Sequence, residues 1–215
     1  MAKSVSDSLN GHTLDRLMNY YHCLRNYSAN EQEGVISSTQ LARMLSLDDS
    51  QIRKDLAAIG VKGHCHVGFG VDQVMQTIGQ VTGIAHRHPA VVIGAGRLGG
   101  ALASYAGFAE YGLAVVALFD HDPAKIGLTI GGHVVQPLDQ LERILKNAHV
   151  RLAILTLPAD AAQQAALRLV NAGVKVLWNF SPARLNLPPA VFVRHEQLFV
   201  GLGQLFYHLH RSHSS

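Results

Sequence analysis

The sequence is sparing with cysteine, charge and aromatic rings, and it holds no long apolar run. Its two cysteines, Cys23 and Cys65, stand 42 residues apart without a paired spacing. That excludes a disulfide-stapled scaffold and a four-cysteine metal knot, and suits a reducing compartment. Charged residues make up 15% of the chain against 48% hydrophobic ones, the balance of a chain that folds rather than one that stays disordered. Gly, Pro or a charge cuts every apolar stretch well short of the ~18 residues a membrane helix needs, and no apolar run follows a basic start. A cytoplasmic, non-membrane protein is expected. Paired-carboxylate and nucleophile motifs are also missing. With 13 histidines in the chain, His133, His149 and His195 read as surface or structural groups rather than as catalytic ones.

What is present begins with 215 residues, room for one large or two small domains. The net charge of +3 invites a nucleic-acid reading, but its distribution does not support one. Residues 1–85 carry seven Lys or Arg and eight Asp or Glu, and the remainder carries eleven and seven. A DNA-binding surface in the first part would have to come from the placement of Arg16, Arg25, Arg43, Arg53, Lys54 and Lys62 on one face.

The first part reads as short capped helices. Leu14, Leu17, Tyr21 and Leu24 recur at helical spacing between Thr13 and Tyr27. Ser37 or Ser38 caps a second helix with Leu41, Ala42 and Leu45, and Asp48 or Asp49 caps a third with Ile52, Leu56 and Ile59. Gly60, Gly63, Gly68 and Gly70 then punctuate Val61, Val67, Phe69 and Val71 as a small ribbon is punctuated. This is the grammar of a winged helix-turn-helix over residues 1–85. Val71 to Ile84 reads as a linking helix, with a boundary near Arg87, His88 and Pro89.

Beyond it the period changes. Val91 to Ile93, Val115 to Phe119, Leu152 to Thr156 and Val174 to Trp178 are short continuous apolar runs, as expected of strands buried on both faces of a parallel sheet. Helical stretches at Leu98 to Tyr111, Leu138 to Lys146 and Asp160 to Asn171 alternate with them, predicting a Rossmann-like doubly wound α/β domain over residues 86–195. After its first strand comes Gly94-Ala95-Gly96-Arg97-Leu98-Gly99, opening a helix. Gly94 permits the tight turn, Gly96 lets backbone amides approach a pyrophosphate, and Gly99 lets helix and strand pack. Asp120, at the end of the next strand, is placed to accept the adenosine ribose hydroxyls, so NAD and NADH are favoured over their phosphorylated counterparts. Asp122-Pro123 reads as a capped helix start. Thr156, Leu157, Pro158, Asn179 and Phe180 end later strands on the ligand side of such a sheet, as candidates for the nicotinamide neighbourhood. The dinucleotide fold leaves no room for a second catalytic domain, so sensing without turnover is expected. Residues 196–215 form a terminal helix and tail; Leu198, Leu202, Leu205, Phe206 and Leu209 share one face, which suits domain swapping in a homodimer.

Several separated motifs together resemble the Rex family of redox-sensing transcriptional repressors: Thr13-Leu14-Asp15-Arg16-Leu17 with Tyr20-Tyr21; Gln51-Ile52-Arg53-Lys54-Asp55-Leu56; the glycine loop with Tyr105; Phe119-Asp120 with Asp122; Leu157-Pro158-Ala159; and Asn179-Phe180-Ser181-Pro182-Ala183-Arg184-Leu185. The resemblance implies a homodimer that binds palindromic double-stranded operator DNA, with NADH favouring release and swapped C-terminal helices between the nucleotide domains. It also places Tyr105 near the nicotinamide. Ser50, Gln51, Arg53 and Lys54 would meet DNA from the recognition helix, Arg16, Arg43 and Lys62 would clamp backbone, and His64 and His66 would lie in the wing. The chain departs from the pattern in two places. His64-Cys65-His66 stands where the family carries a Lys-Arg-Gly run, and Gln197 stands where it carries a switch aspartate. A second reading therefore stays open, an NAD(H)-binding regulatory or protein-interaction protein with operator binding lost or altered. A Cys-His metal or thiol sensor in the wing is disfavoured, because three consecutive ligands converge poorly, and no metal site is expected.

Overall fold

The computed structural model describes residues 9–30, 34–64 and 67–212. The chain divides into two compact units, Met1–His86 and Arg87–Ser215. Among the described residues no helix is long and apolar enough to cross a membrane.

The first unit opens with α1 (Gly11–Asn30), which buries Leu17, Tyr20, Leu24 and Tyr27. This inward stripe is rotated from the expected one: Leu14 is exposed, Tyr21 is only partly covered, and Tyr20 is fully buried. A capping box starts α2 (Ser38–Leu45), in which the Ser37 hydroxyl accepts from the Gln40 backbone N–H and the Gln40 side-chain Oε1 accepts from the Ser37 backbone N–H. The Asp48 carboxylate caps α3 (Asp49–Ala58) by accepting from the Ser50 N–H at 2.7 Å. Ile52, Leu56 and Ile59 turn inward as expected. The wing is smaller than the expected ribbon. β1 (Val35–Ile36) pairs antiparallel with β2 (Phe69–Gly70), and a lone bridge joins His64 to Gly68. Gly68 has φ +108, and a Cβ there would strike the Ile36 carbonyl at 2.4 Å, so glycine lets the wing close on β1. Val67 stays exposed, and Val71 is the first residue of α4 (Val71–Thr82), not part of the ribbon.

The second unit is a seven-stranded sheet in the order β5-β6-β4-β3-β7-β8-β9. β3 (His88–Ile93), β4 (Leu113–Asp120), β6 (His133–Pro137), β7 (Leu152–Leu155), β8 (Val176–Asn179) and β9 (Phe192–His195) run parallel, and only β5 (Thr129–Ile130) is antiparallel. From β6 to β9 this is the doubly wound order with the reversal beside β3. The runs around Val91 and Leu118 are buried on both faces. Val91 and Ile93 pack with α6 (Leu141–Asn147) and α7 (Ala159–Asn171), and Val92 and Leu118 pack on the side of α5 (Arg97–Ser104).

Three expectations are corrected here. The helix expected from Leu98 to Tyr111 breaks at Tyr105, whose extended backbone separates α5 from a 3-10 segment, Ala106–Tyr111. Asp122-Pro123 starts no helix; the Asp122 side chain accepts from the Ala124 N–H within a single turn. The sheet also gains the edge strands β5 and β9 and the strand β6 beside β5, which the apolar runs do not mark because they are short and mostly only partly buried. Helix α8 (Leu198–Ser212) ends the described chain, and Phe199, Val200, Leu202, Leu205, Phe206, Tyr207 and Leu209 are all exposed on it.

Candidate nucleotide site and nucleic-acid interface

At the reversal point the loop after β3 is shaped by the protein's own backbone. Gly94 has φ +107, and a Cβ on it would lie 2.8 Å from the Thr156 carbonyl; one on Gly99 would lie 1.8 Å from the Gly94 carbonyl. Gly96 differs, since a Cβ there would meet nothing within 4 Å. The protein requires glycine at 94 and 99, whereas the space outside Gly96 is left for something else. Gly96 is the N-cap of α5, which no side chain caps, and the first N–H to close on its carbonyl is that of Gly100. The amides of Arg97, Leu98 and Gly99 therefore sit without helical partners at the positive end of the helix, a fit for a pyrophosphate. Thr156 holds the loop from the next strand: its hydroxyl lies 2.9 Å from the Gly94 carbonyl and 3.1 Å from that of Ile93.

Asp120 lines the cavity beside the glycine loop and also anchors that loop. It is 3% exposed, and its oxygens already accept four donors: the N–H groups of Ala95 (2.8 Å), His121 (2.8 Å) and Asp122 (2.9 Å), and the Lys125 ammonium (3.0 Å). A carboxylate has about four acceptor sites, so a ribose hydroxyl would take the place of one of these donors, of which the Lys125 ammonium is the most exposed. Burial pushes this carboxyl up, but the donors from Asp122, Lys125 and Ala95 outweigh it and hold it below the usual carboxylate range. Asp120 is thus an anchor of the glycine loop, and the Ala95 amide is spent on it instead of on phosphate.

Beside Asp120 lies a cavity of about 340 Å³. Ile93, Leu138, Leu157 and Ala165 give it apolar walls, and Gln164 and Arg168 give it a polar edge, an arrangement that suits a flat heteroaromatic base. Glu142 fixes Arg168 through two hydrogen bonds, at 2.7 and 3.0 Å. Sequence reasoning found Leu157 but missed the α7 row of Ala161, Gln164, Ala165 and Arg168; its three-and-four spacing with two alanines was the available signal.

The remaining candidates divide. Arg97 borders a shallow hollow with Gly96 and Lys125, Leu98 is exposed, and Pro158 caps α7. Tyr105 is 60% exposed, with its ring over Gly107 and edge-on to Phe108. Phe180 packs on Trp178. Asn179 is fully buried, and its amide is occupied by Ser181 and Ala183 of the β8–β9 connection and by His195 of β9. Glu196, next to Gln197, accepts from Trp178 and Arg194.

In the first unit a groove of about 730 Å³ runs between Ser37, Ser38 and the wing, and it gathers Arg53, Lys62 and His64. Arg43 and Lys54 are exposed and Ser50 partly so. Arg53 donates to Ser38 and to Asp49, which orients it along the groove. Two of the expected DNA contacts have partners inside the unit. Arg16 donates to both oxygens of buried Asp55 and ties α1 to α3, and the Gln51 amide donates to the same carboxylate within α3. His66 and Cys65 lie outside the described residues. Among those described, no three His, Cys, Asp or Glu side chains gather as metal ligands.

Two family models match the chain, "CoA binding domain" over residues 86–183 and "Putative DNA-binding protein N-terminus" over residues 11–57. The redox-sensing transcriptional repressor Rex of Carboxydothermus hydrogenoformans is 38% identical over 93% of this chain and 95% of its own length. That of Roseiflexus sp. (strain RS-1) is 38% identical over 86% and 84%. Among solved structures, RSP, a Rex-family repressor, superposes in its complex with β-NAD+ and operator DNA with a TM-score of 0.88 at 31% identity, covering 95% of this chain and 94% of that one. Its complex with β-NADH gives 0.85 at 30% identity over 96% of each chain. With a loop built for a pyrophosphate, a winged helical unit, and relatives this similar along nearly its whole length, the chain belongs to the Rex family of redox-sensing transcriptional repressors.

Proposed function

We propose that this protein is a cytoplasmic repressor that binds a palindromic operator as a homodimer and reads the NADH/NAD ratio, with NADH favouring release. The observation that carries the reading is the open space outside Gly96 at an uncapped helix N-terminus, in a fold that RSP shares while holding either redox form of the dinucleotide. The amides of Arg97, Leu98 and Gly99 would hold the pyrophosphate, the cavity edged by Gln164 and Arg168 would hold the adenine, and Thr156, Tyr105 and Phe180 would border the nicotinamide end. When bound, the dinucleotide supplies two redox states that differ in the charge and planarity of one ring. No turnover is part of this reading.

DNA would be met by Lys54, Arg53 and Ser50 from α3, with Arg43, Lys62 and His64 on the flanking phosphates. The exposed apolar face of α8 would be covered by a second protomer, which pairs two winged units for two half-sites. Selection of duplexes from a random pool by the purified protein tests the proposal: enrichment of a palindrome that NADH elutes supports it. A pool with no enriched palindrome favours the second reading, a nucleotide-binding protein with operator recognition lost.

A further inference from the structure

Trp178 is the one tryptophan of the chain, and it stands at the junction of two features that the proposed function uses separately. Its indole N–H donates to the Glu196 carboxylate at 3.0 Å, and the same oxygen accepts from Arg194 at 3.2 Å. The Glu196 backbone N–H donates to the carbonyl of Asn179, the last residue of β8, at 2.9 Å. Only Gln197 separates Glu196 from Leu198, the first residue of α8. The root of the exposed terminal helix is therefore fastened to β8 twice, once by backbone and once by the indole.

On its other side Trp178 belongs to a row of rings. Its ring centroid lies 4.9 Å from Phe180 and 5.6 Å from Phe108, and Phe108 lies 4.9 Å edge-on from Tyr105. Tyr105 sits where α5 ends, and α5 begins at the proposed phosphate cradle. These rings are in direct contact, so a ligand that reorients Tyr105 or Phe180 changes the packing against Trp178. The indole hydrogen bond carries that change to the base of α8.

We propose that Trp178 and Glu196 are positioning residues which couple the redox state of the nucleotide at Tyr105 and Phe180 to the setting of α8. The inference rests on the proposed reading of that site as an NAD(H) sensor. Neither residue is assigned a contact with nucleotide or with DNA, so their loss should uncouple the two events without abolishing either.

The test uses the full-length protein, with fluorescence anisotropy of a bound palindromic duplex and a separate NADH titration. In the wild type, NADH is expected to weaken operator binding by about tenfold or more. Trp178→Phe and Glu196→Ala should keep both the nucleotide affinity and the nucleotide-free operator affinity, yet lose most of the NADH effect. Glu196→Gln, whose amide oxygen still accepts from the indole, should retain it. A second readout needs no variant: with one tryptophan, the Nε1–H resonance is a single signal, and it should take different positions with NAD and with NADH. A responsive wild type with an equally responsive Glu196→Ala, or an indole signal identical in both redox states, overturns the inference alone. A wild type whose operator binding ignores NADH overturns the functional reading, and the inference with it.

Discussion

Arg16 of α1 grips Asp55 of α3 through both carboxylate oxygens, at 2.6 and 2.8 Å, and the Tyr20 hydroxyl donates to the same group at 2.8 Å. The carboxylate is 4% exposed, so the pair fixes the recognition helix against the first helix from inside the unit. Burial drives the Tyr20 hydroxyl well above its ordinary range, and the hydrogen bond to Asp55 raises the Arg16 guanidinium. Replacing Arg16 with alanine leaves a buried charge with fewer donors and should cost the first unit about 2–4 kcal/mol, measured by urea unfolding. Operator affinity would fall with folding, while the salt dependence of the remaining binding would stay unchanged.

Acid should weaken both units through two aspartates. Burial alone raises Asp55, but Arg16, Tyr20 and Gln51 outweigh it, so it titrates below the usual range, as Asp120 does. For a group depressed in the native state, the stabilisation is present above the unfolded value of about 3.9 and is lost as pH falls through the native value. The urea midpoint should therefore hold steady above roughly pH 5 and drop progressively below it. Asp55→Asn should make that acid slope shallower.

The glycine loop predicts a contrast between two alanine variants. Gly99→Ala drives a methyl into the Gly94 carbonyl and should lower the melting temperature along with nucleotide binding. Gly96→Ala meets no protein atom within 4 Å and should melt like the wild type. Its methyl fills the space left for the pyrophosphate, so calorimetry should show NADH binding weakened about tenfold or more.

DNA binding separates exposed cations from committed side chains. Lys54→Ala should lower operator affinity and reduce the slope of log affinity against log salt by about one, as the loss of one phosphate contact does. Gln51→Ala, which loses a contact to Asp55, should leave that slope unaltered.

Much of this was legible in the sequence because it rested on local chemistry. The Ser37 and Asp48 caps, the glycine loop and the buried strands around Val91 and Ile154 each follow from residues within a few positions of one another. What escaped depended on distant partners. The sequence marks Asp120 as a ribose acceptor but does not show that Lys125 and the Ala95 amide also donate to it. Arg16 looks like a surface cation until Asp55, 39 residues away, is found beneath it. The α7 edge of the base cavity was hidden because Gln164 and Arg168 also read as an ordinary solvated helix face.

The proposed repressor binds its operator in response to the redox state of the nucleotide. Binding isotherms of the purified protein on its selected palindrome at one fixed salt concentration, with saturating NAD in one titration and NADH in the other, test this. The predicted result is an operator affinity about tenfold or more weaker with NADH. Superimposable isotherms would contradict the account.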